Sequence, residues 1–134
     1  MQHWIFISSV KAFRMDDWLA INDFVEFFQR NKVYVNDIVY LYTTSPVCKI
    51  EYKMIVEKIN IPLDKTIDDS AYSLRKEQKK YDKDAKFLRL KLLKKVDNPN
   101  LHLHNLQAQG MTSLMKGNFK VSGELLDYIE EQFR

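Results

Sequence analysis

The stretch Asn36-Asp37-Ile38-Val39-Tyr40-Leu41-Tyr42-Thr43-Thr44-Ser45-Pro46 decides the fold. A turn-prone Asn-Asp opens an apolar run rich in β-branched and aromatic residues, and Thr-Thr-Ser-Pro closes it, so the segment reads as a buried strand between two loops. Alternation resumes beyond Pro46. Ile50, Tyr52, Met54 and Val56 fall on one side and Lys49, Glu51, Lys53 and Glu57 on the other, as in a half-buried strand. So few residues separate the two runs that an antiparallel hairpin is predicted. Tyr40 and Tyr42 beside Thr43, Thr44 and Ser45 set flat apolar faces next to hydrogen-bonding groups, which suits a pocket for a planar heterocycle.

Toward the N-terminus, Trp4-Ile5-Phe6-Ile7 is too short for a helix and too apolar to be exposed on both sides, so it reads as a central strand ending at Ser8-Ser9. From Asp16 the period changes. Trp18, Ile21, Val25 and Phe28 recur at three- and four-residue steps behind Asp16 and Asp17, which predicts an amphipathic helix ending in Phe27-Phe28-Gln29-Arg30-Asn31-Lys32.

Toward the C-terminus, Leu63 to Asp84 carries many charges and few large apolar residues, and reads as a solvated loop plus a surface helix. Phe87 to Val96 alternates again and predicts a long strand, broken by Asp97-Asn98-Pro99-Asn100. Leu101, Leu103, Leu106 and Ala108 then suggest a short helix stopped by Gly110. A brief strand is expected at Phe119-Lys120-Val121. Ser122 would cap a terminal helix with the apolar stripe Leu125, Leu126, Ile129 and Phe133. Strands and helices in no strict alternation indicate one α+β domain over residues 1–134, built on a curved mixed sheet or small barrel flanked by helices.

The 134 residues suffice for one sizeable core. A formal charge of +3, from 21 basic and 18 acidic residues, is compatible with nucleic acid without pointing to it. Met1-Gln2-His3 runs into the first strand with no basic leader region or cleavage site, and no apolar run approaches the roughly 20 residues that span a bilayer, so a cytosolic protein is expected. The lone Cys48 excludes an internal disulfide and reads as packing. His102 and His104 have no ligand partner at a familiar zinc spacing, so neither metal nor cofactor is expected. There is no Gly-x-Ser-x-Gly elbow or Gly-rich phosphate loop, and the pairs Asp16-Asp17 and Asp68-Asp69 read as caps, so catalysis has no positive signal.

Aromatic density is what stands out. Phe, Trp and Tyr make up 13% of the chain, and Phe13, Phe27, Phe28, Tyr34 and Tyr42 fall at element ends, where an aromatic slot could stack an unpaired base. Lys11, Arg14, Arg30, Lys32 and Lys49 lie near them and are the candidate phosphate ligands.

Trp4-Ile5-Phe6 with Ser8-Ser9, then Asn36 to Tyr42 with Ser45-Pro46, then Ile50-Glu51-Tyr52-Lys53, resembles the EVE-type branch of the PUA-like superfamily, relatives of the YTH and ASCH domains. Leu106, Gly110-Met111, Gly117, Lys120-Val121, Leu125 and Tyr128-Ile129 are similar to the closing signature of that group. The resemblance implies a curved sheet and a pocket that recognises a modified or flipped base in DNA or RNA without chemistry. The pocket wall it implies is Ser8 and Ser9, then Tyr42, Thr43 and Pro46, with Phe27 or Phe28 where the family usually has Trp. Asn36 stands where the family has Gly, and Asn tolerates the same left-handed turn. The alternatives are a protein-interaction or regulatory domain, for which a homodimer is one form, and an ASCH-like ribonuclease, which needs a general base and a cation facing one cleft.

Overall fold

The computed structural model describes residues 1–77, 79–112 and 117–134. Its centre is the predicted strand: β3 (Ile38–Thr43) is buried at every position, because elements cover both of its faces. Side chains of a strand alternate between faces. Val39 and Leu41 therefore join Trp4, Phe6, Trp18, Met54 and Leu90 in a first core. Tyr40 and Tyr42 point the other way and join Ile5, Ile50, Leu106, Ile129 and Phe133 in a second.

Among the described residues the sheet has six strands in the order β2-β5-β4-β3-β1-β6. The predicted hairpin is present: β3 runs antiparallel to β4 (Lys49–Pro62), with an irregularity between Leu41 and Tyr42. The predicted third long strand is β5 (Lys86–Lys95), antiparallel to β4. The opening strand β1 (His3–Ser8) lies beside β3 in parallel, Trp4 opposite Val39 and Phe6 opposite Leu41. A parallel pair needs a crossover. Here it is residues 9–37, containing α1 (Met15–Ile21) and the edge strand β2 (Phe24–Phe28). At the opposite edge β6 (Phe119–Lys120) pairs with β1. Among the described residues the sheet is a mixed, open one and does not close into a barrel.

The crossover corrects the expected helix from Asp16 to Phe28. The helix stops at Asn22, whose backbone N–H and side-chain amide both donate to the Trp18 carbonyl, at 3.0 and 3.1 Å. Ile21, placed on the apolar stripe by sequence, is 71% exposed. The aromatic and β-branched run from Phe24 to Phe28 pairs with β5 instead, where Val25 meets Leu90 and Phe27 meets Leu88. The surface helix expected between Leu63 and Asp84 is also absent among the described residues. Two single 3₁₀ turns, Leu63–Lys65 and Ser70–Tyr72, stand in this excursion.

Beyond β5, α2 (Leu103–Ala108) and α3 (Gly123–Gln132) cover the second core. Ser122 sits at the cap position of α3, but its side chain makes no capping bond. Polar contacts fix α3 to the sheet: the Tyr40 hydroxyl donates to Glu130, and Lys53 Nζ donates to the same carboxylate at 2.9 Å. Burial works to raise the Glu130 pKa, but those two donors and the Lys53 charge outweigh it and hold the carboxyl low. Burial, with Glu130 next, pushes the Tyr40 hydroxyl far above its ordinary value.

Asn36 and Asp37 do more than open β3. Asn36 has φ +76°, the left-handed turn expected of an Asn in a Gly position. Asp37 is 2% exposed and accepts from the Gln2 N–H (2.9 Å), Trp4 Nε1 (3.1 Å) and the Tyr34 N–H (3.0 Å), joining three segments at one carboxylate.

Candidate functional site

A cavity of about 640 Å³ opens where the C-terminal end of β1 meets β2 and the 63–84 excursion. Ser8 and Ser9 reach it because β1 ends there. Ile7 donates its N–H to Asn118 Oδ1 at 2.9 Å, bringing residues 117 and 118 to the same rim. Phe13, Met15, Val25 and Phe27 supply apolar lining continuous with the first core.

The outer wall is the excursion itself, tied down in two places. Glu26 Oε1 accepts from the Ile67 N–H (2.8 Å), while Oε2 accepts from Arg89 Nε and a terminal guanidinium nitrogen (3.0 and 2.8 Å). The Glu26 side chain is 3% exposed, and its oxygens are taken by protein donors. Further along, the Arg14 N–H donates to the Tyr72 carbonyl (2.8 Å) and the Leu74 N–H to the Ala12 carbonyl (3.0 Å). A wall held this way is in place before a ligand arrives.

At one side of the cavity Phe28 stacks on Tyr81, centroids 5.1 Å apart and planes 24° from parallel, with Phe87 edge-on to both. Two cations stand over this pair. The Arg30 guanidinium lies 5.7 Å from the Phe28 ring centre, and Lys79 Nζ lies 5.9 Å from Phe28 and 5.5 Å from Tyr81. Arg75 is the third cation of the lining. Partial desolvation, and then repulsion from Arg30 and Arg75, lowers the pKa of Lys79. Among the described residues none of the three makes an ion pair, whereas Arg14, Lys49, Lys53 and Arg89 each have a carboxylate partner.

Asp69 also lines the cavity. Burial, and then the Glu26 and Asp68 charges, raise its pKa against a lowering contribution from its own backbone N–H. Serine and threonine hydroxyls from Ser70, Ser73 and Thr66 complete a surface with aromatic, cationic and hydrogen-bonding parts.

Of the residues expected at a base pocket, Ser8, Ser9, Phe27 and Phe28 meet at this cavity, and of the expected phosphate ligands Arg30 does. Tyr42 does not. It is 1% exposed inside the second core on the opposite face, where burial, with Cys48 next, pushes its hydroxyl up to about 12. Strand alternation is the reason, since Leu41 and Thr43 face the side that Tyr42 cannot. Thr43 borders a smaller hollow of about 260 Å³, shared with Ser8 and Arg14, and Pro46 is exposed outside both linings. Arg14 is paired with Asp17 at 2.9 Å and lies over the Tyr72 ring. Lys49 is bonded to Asp97. Lys11 and Lys32 are exposed outside the lining of either cavity.

Sequence reasoning missed Arg75, Lys79, Tyr81, Asp69 and Asn118. The available signal was an aromatic, Tyr81, within the basic run from Arg75 to Lys83, the interleaving that nucleic-acid surfaces use. Among the described residues no His, Cys, Asp and Glu side chains gather in a group able to hold a metal ion, and no helix is long and apolar enough to cross a membrane. His102 and His104 pack against each other, ring centres 4.9 Å apart.

No family model matches the chain, and no curated protein does. Solved structures do. An ASCH protein from Zymomonas mobilis superposes with a TM-score of 0.67 at 9% identity, over 99% of this chain and 96% of that one. A hypothetical protein from Leishmania major gives 0.69 at 19% identity, over 98% and 93%. A protein from Pseudomonas putida gives 0.67 at 14% identity, over 97% and 98%. Likeness at such identities is one of fold, and it extends over nearly the whole chain: this protein has the α+β fold of the ASCH protein, a fold of the PUA-like type.

Proposed function

We propose that the protein binds nucleic acid by admitting one unpaired or flipped base, in the EVE-type reading a modified one, into the cavity between β1, β2 and the 63–84 excursion, without chemistry on it. One observation carries the reading: Ser8, Ser9, Phe27, Phe28 and Arg30, from segments apart in sequence, line a single hollow of about 640 Å³. That volume is within the range of small-ligand sites, and the mixture of aromatic, hydroxyl and cationic groups suits a nucleotide. The PUA-like fold supports the same reading.

Phe27 is the better candidate for stacking. Phe28 is already engaged by Tyr81 and two cations, whereas Phe27 touches Phe6 only edge-on, centroids 6.2 Å apart at 86°. Fluorescence anisotropy with plain and base-modified RNA and DNA oligonucleotides at low salt tests the proposal. Phe27→Ala should weaken binding roughly tenfold or more, the scale of one lost stacking contact. Absence of binding to every oligonucleotide ends it.

A second reading is favoured by the presence of Asp69, its pKa raised, and Lys79, its pKa lowered, in the lining of one cavity, a combination that sequence did not disclose. It is RNA cleavage: Asp69 takes the proton of a ribose 2′-hydroxyl, the 2′-oxygen attacks the adjacent phosphorus, the bond to the 5′-oxygen breaks, and water protonates the leaving oxygen. Under the first reading RNA stays intact through long incubation with the protein. Cleavage that disappears in Asp69→Asn would replace binding with turnover.

A further inference from the structure

We infer that Arg30, Arg75 and Lys79 form a subsite for a phosphate monoester, so that the ligand of the cavity is a nucleotide carrying a terminal phosphate; this rests on the base-cavity reading and deepens it. Three cations at one cavity rim, none in an ion pair among the described residues, repel one another. An anion between them removes that repulsion. The charge on the ligand discriminates between candidates. An internal phosphodiester carries a single negative charge, whereas a monoester carries about −1.5 to −2 near neutral pH, with a second pKa of about 6. Three cations lining one cavity suit the second better than the first.

The placement is also pre-organised. Phe28 and Tyr81, stacked on each other and backed by Phe87, position Arg30 and Lys79 over one small aromatic surface. The acidic groups of the same cavity do not neutralise the rim. Glu26 is held by Arg89 and the Ile67 N–H, and Asp69 has its pKa raised beside Glu26 and not lowered by a cation. Arg30 lies just beyond the end of β2 and the other two in the excursion, so the subsite straddles the seam at which the wall meets the sheet. A base on Phe27 would then have its phosphate directed toward the Phe28–Tyr81 pair.

The phosphate could belong to a free mononucleotide or to the end of a strand, and the experiment has an arm for each. Titrate the intact protein with the four ribonucleosides and their 5′- and 3′-monophosphates, and with an eight-nucleotide RNA ending in 5′-phosphate, 3′-phosphate or hydroxyl only. The phosphorylated member of at least one pair should bind about tenfold or more tightly, as a charge-assisted contact to arginine and lysine implies. That advantage should grow as pH rises from 5 to 7, while the hydroxyl-ended ligand shows no such growth. Arg75→Ala and Lys79→Ala, both at exposed positions, should each remove most of it at unchanged melting temperature. If nucleosides or RNA bind but, in the mononucleotide and the RNA arms alike, the phosphorylated and hydroxyl members bind equally, the monoester subsite is wrong and the base cavity stands. If no nucleoside or RNA binds, the base cavity is wrong, and inorganic phosphate then decides the subsite separately. NMR shifts of the Lys79 and Arg75 side chains on phosphate addition would support it, and their absence would overturn it.

Discussion

On the α2 and α3 side of the sheet, Tyr40 and Tyr42 are sealed under Ile129, Phe133 and Leu106, and the charges that reach the edge of that core, Lys53 and Glu130, satisfy each other. At the β1–β2 end of the other side, Phe27 and Phe28 border an open hollow, and Arg30, Arg75 and Lys79 have no carboxylate partner among the described residues. Both regions draw on the same residue types. What differs is the cover: α2 and α3 close one side, while on the other a chain excursion, with 3₁₀ turns at Leu63–Lys65 and Ser70–Tyr72 among its described residues, stands off the sheet, tied at Glu26 and at residues 72–74. Aromatic content therefore marks a site only where the covering element leaves space beside the ring.

The sharpest attempt to break this contrast is Tyr42→Ala. Emptying a site in the sealed core should cost about 4 kcal/mol in denaturant unfolding and leave the affinity of the folded fraction for RNA unchanged. Lost affinity at unaltered stability would return Tyr42 to the binding site. Asp37→Ala follows, at about 3 kcal/mol, because it leaves the buried Trp4 indole and two backbone N–H groups without their acceptor. Its effect should be on stability, read by the same unfolding curve, with the cavity side still competent in the folded protein.

The combined change Arg30→Ala, Arg75→Ala, Lys79→Ala should show the opposite pattern. Affinity for RNA at low salt falls about a hundredfold and the salt dependence flattens, while the melting temperature moves by about 1 °C or less, as expected of exposed positions. A large drop in melting temperature would mean that these cations hold the wall and have no role as a vacant rim.

The smallest effect concerns Asp69, whose carboxyl is held above the ordinary range by burial and then by Glu26 and Asp68. The folded state binds that proton more tightly than the unfolded chain, so the associated stability is present at pH below about 3.9 and lost as pH rises through the raised folded value. Asp69→Asn should therefore raise the melting temperature slightly at pH 7 and leave it unchanged in acid. A decrease at pH 7 would show that the ionised carboxylate supports the wall.

The strands could be read from sequence wherever one periodicity applied over many residues. Ile38 to Thr43, Lys49 to Pro62 and Lys86 to Lys95 were legible because burial on one or both sheet faces imposes apolar runs or alternation. Between Asp16 and Phe28 two elements lie end to end, and Trp18, Ile21, Val25 and Phe28 happen to fit a helical step across the break. The Asn22-Asp23 pair was the local sign of that break. The site was legible in part. Ser8, Ser9, Phe27, Phe28 and Arg30 follow from strand ends, but which face Tyr42 takes depends on register against β1 and β4, and Arg75, Lys79 and Tyr81 sit in a segment whose polarity resembles plain solvation. Charge composition says nothing about where an irregular chain is tied.

The order of the elements also bears on synthesis. β1 to β5, α1 and the excursion all precede residue 100, so most of the hollow can assemble while the chain is still emerging from the ribosome. Ile5, Tyr40, Tyr42 and Ile50 wait uncovered until α2 and α3 have been translated, and the partner of β1 at the sheet edge arrives equally late. A nascent chain stalled in that interval exposes an apolar, tyrosine-bearing sheet face, the kind of surface that makes an incomplete fold prone to aggregate.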